Sequence, residues 1–315
     1  MDSARLSDLR VFVAKKTRVM KKYIRVYLSS FVVKKMMKFA YLGYDMMLPA
    51  MKRLAGEGHH CSHVFSFAVD GINMQNHQTQ EWASALGIPF TEKLIDEGGI
   101  TSAVEEGAQF FFSAGYPSKI PQIPEPAKGV NFHPTLLPEG RGIIPMPYLI
   151  YENPEAAGMT LHKLSDKFDQ GDILAQHKFD LTPHEDIEML MARLTLHAPE
   201  FISKAMADFD TLWAQATPQK PGSGSHYKNP GDEMRLLDFT KTVAELDRLK
   251  RAFGKIGTLM EYNDQILIIL DFAVWKEAHD FTPGDIVGQL PNESIIAAKD
   301  GFVVIKNAVA AQTDE

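Results

Sequence analysis

Between residues 38 and 133 short apolar runs alternate with stretches of helical spacing, and this alternation restricts the fold more than any other feature. The runs are 38–43 (KFAYLG), 61–68, a short 88–90, 108–114 (AQFFFSA) and 130–133. Helical spacing occupies 46–55, 76–86 and 100–106, with Gly56 and Gly87 as C-terminal stops. A strand that is apolar at every position is buried on both faces. Strand–helix alternation then predicts an α/β fold with a mainly parallel, Rossmann-like sheet.

After residue 158 the pattern changes. Residues 159–164 and 173–180 have β character, and helical spacing runs from about 185 to 213. Residues 215–234 are rich in Pro, Gly and Ser and read as a linker. Beyond them, 242–253 is helical. Short strand patterns follow at 262–274, 285–289, 294–298 and 302–306, with Asn263-Asp264 and Asp300-Gly301 as turns. Close-set short strands predict a small OB-like β-barrel. The expected organisation is a basic extension over 1–36, a catalytic domain over 37–214, the linker, and a small β domain over 235–315.

Charge is uneven. The first 36 residues carry ten Lys/Arg and two Asp, leaving 23 basic and 38 acidic groups for the rest of the chain. The basic segment reads either as an upstream extension or as a targeting segment. An acidic body disfavours nucleic acid, whose non-specific affinity comes from Lys and Arg on phosphates. The single cysteine, Cys61, excludes an internal disulfide and suits a cytoplasmic location. No apolar run approaches the roughly 18 residues of a membrane span. His59, His60, Cys61 and His63 have metal-ligand chemistry, but neighbours on a strand face opposite ways, so no metal site is expected there. An oligomer is compatible with the sequence.

The chemistry concentrates at 129–142, GVNFHPTLLPEGRG. On a strand Asn131 and His133 share a face. Ligands of parallel α/β sheets bind beyond the carboxyl ends of the strands. His162 and Asp169 follow in GMTLHKLSDKFDQGDILAQ. An amide N–H and an imidazolium can stabilise the oxyanion of acyl transfer to an amine. A neighbouring carboxylate would keep that imidazole protonated, and either group can accept the amine's proton. Taken alone, these residues fit a polar strand end with a satisfied histidine better. Phosphate-loop, dinucleotide-binding and nucleophile-elbow signatures are absent.

The string N-F-H-P-T-L-L-P-E-G-R-G, followed by G-M-T-L-H and D-Q-G-D-I-L-A-Q, closely resembles the folate-dependent formyltransferases over about residues 38–210. The resemblance implies Asn131, His133 and Asp169 as the catalytic trio, His162 as support, and 10-formyltetrahydrofolate as donor, with no metal. It implies a donor pocket made from Ser113, Gly115, Tyr116, Ile120, Asp166 and Phe168, and substrate contacts from Thr135 and Arg141. Thr135 stands where serine is commoner. Tyr44 and Asp45 are further acceptor candidates. LLDFTKTVAELDRLKRAF resembles the small C-terminal domain of the methionyl-tRNA branch.

That branch usually carries a long basic loop after its second strand. Here residues 69–79 (VDGINMQNHQT) hold no Lys or Arg, and residues 220–315 hold 11 basic and 15 acidic groups. The expected acceptor is therefore a small amine, an amino-sugar nucleotide or a hydroxyornithine-like amino acid. Methionyl-tRNA is the alternative acceptor. A non-catalytic folate-binding accessory role is the alternative of another class.

Overall fold

The computed structural model describes residues 36–69 and 74–311. The expected 1–36 extension, apart from Met36, lies outside the described residues, as does the middle of the 69–79 loop.

The strands of the larger sheet are β1 (Lys38–Leu42), β2 (His60–Phe65), β3 (Phe90–Thr91), β4 (Phe110–Ala114), β5 (Lys128–Thr135), β6 (Ala157–Lys163) and β7 (Ile173–Lys178). Their spatial order is β3-β2-β1-β4-β5-β6-β7. The pairs from β3 to β5 are parallel, and β6 and β7 add an antiparallel flank. The unbroken apolar runs are explained by the two faces. Phe39, Tyr41, Phe110, Phe112, Val130 and Phe132 pack in one core. Ala40, Leu42, Phe65 and Phe111 pack in a second, on the opposite side. Period-2 alternation thus sends large side chains both ways.

Helices α1 (Leu48–Gly56), α2 (His77–Ala85) and α3 (Glu97–Glu105) connect the parallel strands. Helix α3 begins earlier than its spacing predicts, because Asp96 accepts from the Gly99 N–H and caps it despite Gly98 and Gly99. Helix α4 (Met146–Tyr151) follows β5. The expected 185–213 helix is two, α5 (Ile187–Ala207) and α6 (Phe209–Ala214), which meet at Asp208. No helix among the described residues is long and apolar enough to cross a membrane.

The short helix α7 (Asp232–Arg235) precedes α8 (Val243–Phe253), whose N-terminus is a capping box between Thr242 and Glu245. The second sheet is antiparallel, from β8 (Thr258–Tyr262), β9 (Gln265–Lys276), β10 (Ile286–Leu290), β11 (Glu293–Ala298) and β12 (Gly301–Ala310), in the order β10-β11-β12-β9-β8. Asn263 and Asp264 both have positive φ, 50° and 60°, and form the expected turn, which joins β8 to β9 as a hairpin. Leu149 and Ile150 of α4 join the same core as Leu246 and Leu249 of α8, so apolar packing is continuous between the sheets.

Residues 215–228 run along the loop that follows β5. Thr217 pairs with Ile173, His226 with Arg141, and the Tyr227 ring stacks on Tyr148 at 4.2 Å.

The histidines near β2 do not converge. His60 is exposed, the His59 ring accepts from the Met37 N–H, and His63 faces Glu106 at 3.4 Å. Burial pushes the Cys61 thiol up to about 12. Among the described residues no three His, Cys, Asp or Glu side chains gather as a metal site.

Candidate functional site

Strand register assembles the site. Ser113 of β4 lies beside Asn131 of β5, which lies beside His162 of β6; His133 lies beside Thr160. Asn131 and His133 face the same cavity at the carboxyl ends of β4 and β5. His162 and Asp169 line it too, as do Ser113, Gly115, Tyr116, Ile120, Asp166 and Phe168. The Tyr116 hydroxyl accepts from the Ile95 N–H at 2.7 Å, which holds the aromatic ring against the cavity wall.

Hydrogen bonds set the ring tautomers. His162 Nδ1 lies 2.8 Å from the Lys163 carbonyl, which only accepts, so Nδ1 carries the proton. Its Nε2 then accepts from Asn131 Nδ2 at 3.1 Å. That bond orients the amide and leaves its second N–H for a ligand. His133 Nε2 lies 2.8 Å from the Gly140 carbonyl, so it too is a donor. His133 Nδ1 faces Asp169 Oδ1 at 3.4 Å, and His162 Nε2 faces the same oxygen at 3.6 Å.

Burial opposes the expectation that Asp169 keeps His133 protonated: it lowers the His133 pKa below its ordinary 6.5, against the raising effects of Asp169 and the Gly140 carbonyl. Burial alone would raise the Asp169 carboxyl. His133, His162 and the Gly142 N–H together reverse that and hold it at about 2. Desolvation thus favours a neutral imidazole at His133, while the charges and donors around Asp169 favour its carboxylate.

Asp169 has φ 57°, a left-handed conformation uncommon for a side-chain-bearing residue and found most often for Asp and Asn among such residues. Its Oδ2 accepts from the Gly142 N–H at 2.9 Å. Gly142 has φ 122°, and an added Cβ would lie 2.3 Å from the Tyr227 carbonyl oxygen, so only glycine fits.

Two expected substrate contacts are not in the cavity. Thr135 is fully buried, and its hydroxyl donates to the Glu139 carbonyl at 2.7 Å, so it braces the loop from inside. Arg141 is also buried. Its Nε and Nη2 donate to Gln219 Oε1 at 3.1 and 2.7 Å, and Nη1 donates to the Ser223 carbonyl. Neither residue is part of the cavity lining. Tyr44 lines the cavity, whereas Asp45 accepts from the Gln78 and Thr79 N–H groups and caps α2. Met46, Ile143 and Met146 complete an apolar wall that the motif does not reveal. Their apolar character also suits a core, so no sequence signal separates them.

The family model described as formyl transferase matches residues 103–206, and that of the formyl transferase C-terminal domain matches residues 231–314. A methionyl-tRNA formyltransferase of Treponema denticola is 33% identical over 154 residues, covering 49% of this chain and 48% of the relative. The chain thus spans about half the length of that relative. One of Listeria monocytogenes serovar 1/2a is 25% identical over 239 residues, covering 72% and 74%. Among solved structures, the N-formyltransferase of Helicobacter canadensis, in complex with folinic acid and dTDP-3-aminofucose, superposes with a TM-score of 0.59 at 18% identity, covering 87% of this chain and all of the other. The two family models together account for more than half of the residues, on either side of the 215–228 stretch, and the chain belongs to the formyl transferase family.

Proposed function

We propose that this chain transfers a formyl group from 10-formyltetrahydrofolate to a primary amine or hydroxylamine of a small molecule. The observation that carries the proposal is the convergence of Asn131, His133 and Asp169 on one cavity at the carboxyl edge of the sheet. The acceptor nitrogen attacks the formyl carbon, and the carbonyl oxygen becomes an oxyanion. The unused N–H of Asn131 stabilises that charge. His133 Nδ1 takes the acceptor's proton, and Asp169 stabilises the resulting imidazolium next to the oxyanion. The C–N10 bond then breaks as the His133 imidazolium passes that proton to N10 of the folate, which restores the neutral ring. Ser113, Gly115, Tyr116, Ile120, Asp166 and Phe168 form the donor's pocket in this reading.

Charge favours a small acceptor. Arg141 is the only basic residue between 129 and 142 apart from His133, and Gln219 and Ser223 occupy its guanidinium. The dTDP-3-aminofucose bound to the Helicobacter enzyme supports an amino-sugar nucleotide, and a hydroxyornithine-like amino acid has the same chemistry. Similarity to the methionyl-tRNA formyltransferases of Treponema and Listeria favours a second reading, transfer to methionyl-tRNA. A reducing, cytoplasmic setting suits the single buried thiol.

The test is folate release from 10-formyltetrahydrofolate with aminated nucleotide sugars, hydroxyornithine or charged initiator tRNA as acceptor. Turnover with a small amine is expected. Turnover with tRNA alone would sink the small-acceptor reading, and tight folate binding without any turnover would replace the enzyme by an accessory protein.

A further inference from the structure

Residues 207–230 lie between the two matched family ranges, yet they hold the site together. One side chain joins its two halves. Gln219 Nε2 donates to the Asp169 carbonyl at 2.8 Å and to the Gly171 carbonyl at 2.8 Å. Its Oε1 accepts two bonds from the Arg141 guanidinium. All the polar capacity of the amide is therefore used. Arg141 belongs to the loop that supplies the Gly140 carbonyl to His133 and the Gly142 N–H to Asp169. The circuit closes as His133, Gly140, Arg141, Gln219, Asp169 and back to His133. Ser225 fixes the same loop from the other side, accepting from the Gly140 N–H at 2.8 Å and donating to Glu139 at 2.7 Å.

We propose that Gln219 is a positioning residue for formyl transfer: it clamps the left-handed Asp169 to the Gly140–Gly142 loop, so that carboxylate and imidazole meet in one geometry. The proposal rests on the function proposed above. A left-handed Asp is a strained choice that persists only where its surroundings over-determine it. Gln219 grips the carbonyl of that very residue. Without the clamp the Asp169 turn and the Arg141 loop are held by fewer bonds, and a displacement of about 1 Å at a reacting centre costs roughly a hundredfold in rate.

The experiment compares the full chain with its Gln219→Ala and Gln219→Met variants. The second keeps the length and neutrality of the side chain but removes its hydrogen bonds to Asp169, Gly171 and Arg141. Folding is checked by circular dichroism, and Gln219→Met is read alone if Gln219→Ala does not fold. With an active acceptor, kcat is expected to fall roughly ten- to a hundredfold while the KM for the folate donor stays within about twofold. A second readout needs no turnover: the imidazole of His133 is titrated by nitrogen NMR. Asp169 raises this group, while burial, His162 and Arg141 lower it. Loosening Asp169 should therefore move the His133 midpoint to lower pH. Wild-type kcat together with a wild-type midpoint overturns the role of Gln219. If the unmodified protein formylates no acceptor, the function reading fails, and the His133 midpoint alone decides for or against the clamp.

Discussion

At the scale of single residues, hydrogen bonds and burial set the donor and acceptor roles of the site. His162 is fixed as an acceptor for Asn131, Asn131 keeps one N–H free, and burial lowers the His133 pKa. Asn131→Ala should lower kcat by roughly 10²–10³, the usual loss of an oxyanion donor, in the folate-release assay. Asp169→Asn should lower it roughly a hundredfold or more while preserving the turn. The His133 pKa lies below 6.5, so the rate should stay level down through that pH and fall only on a more acidic limb of the kcat/KM profile. Asp169→Asn should move that limb further toward acid. Stability follows the same sign. Both folded-state values are depressed, so each group's stabilisation is present above its unfolded value and is lost on acidification. For His133 the loss begins below 6.5, and for Asp169 it spans 3.8 down to about 2. Asp169→Asn should flatten the lower part of a denaturation-midpoint curve taken against pH.

At the scale of elements, close approach decides which substitutions are tolerated. A Cβ at Gly171 would lie 1.8 Å from the Lys163 carbonyl oxygen, so β6 and the turn into β7 touch through backbone. Gly171→Ala should cost about 1–3 kcal/mol, as overpacking generally does, and should reduce activity because Asp169 lies two residues away. Thermal unfolding beside the folate-release assay measures both. The capping box of α8 is remote from the cavity. Thr242→Ala should cost about 1 kcal/mol in chemical denaturation and leave kcat unchanged. Helix positions were legible in the sequence because spacing and caps are local. The break at Asp208 was not legible, since α5 and α6 together read as one continuous apolar period.

At the scale of the whole molecule, the acceptor is a question of charge. The body carries 38 acidic against 23 basic residues after the first 36. Transfer to a small amine should change by no more than about threefold in kcat/KM between roughly 50 and 200 mM salt, because few ions are released. An RNA acceptor held by about six or more phosphate contacts would lose on the order of a thousandfold or more over that range. A salt titration of the preferred acceptor distinguishes the two.

Local pattern was enough to determine the parallel sheet, the strand that bears Asn131 and His133, and the short strands of the C-terminal region, because period and turn chemistry act over a few residues. Roles for His162 and Asp169 came from the resemblance to a family, not from local pattern. Only the tertiary structure decided the rest. Burial lowers the His133 pKa, although the neighbouring carboxylate by itself raises it. Packing buried Thr135 and Arg141 and left them out of the cavity lining. Gln219 lies among Pro, Gly and Ser residues that read as a spacer, yet it reaches Asp169 across 50 residues of chain. Desolvation and contacts of such long separation depend on where the whole chain has gone, and no window of sequence contains them.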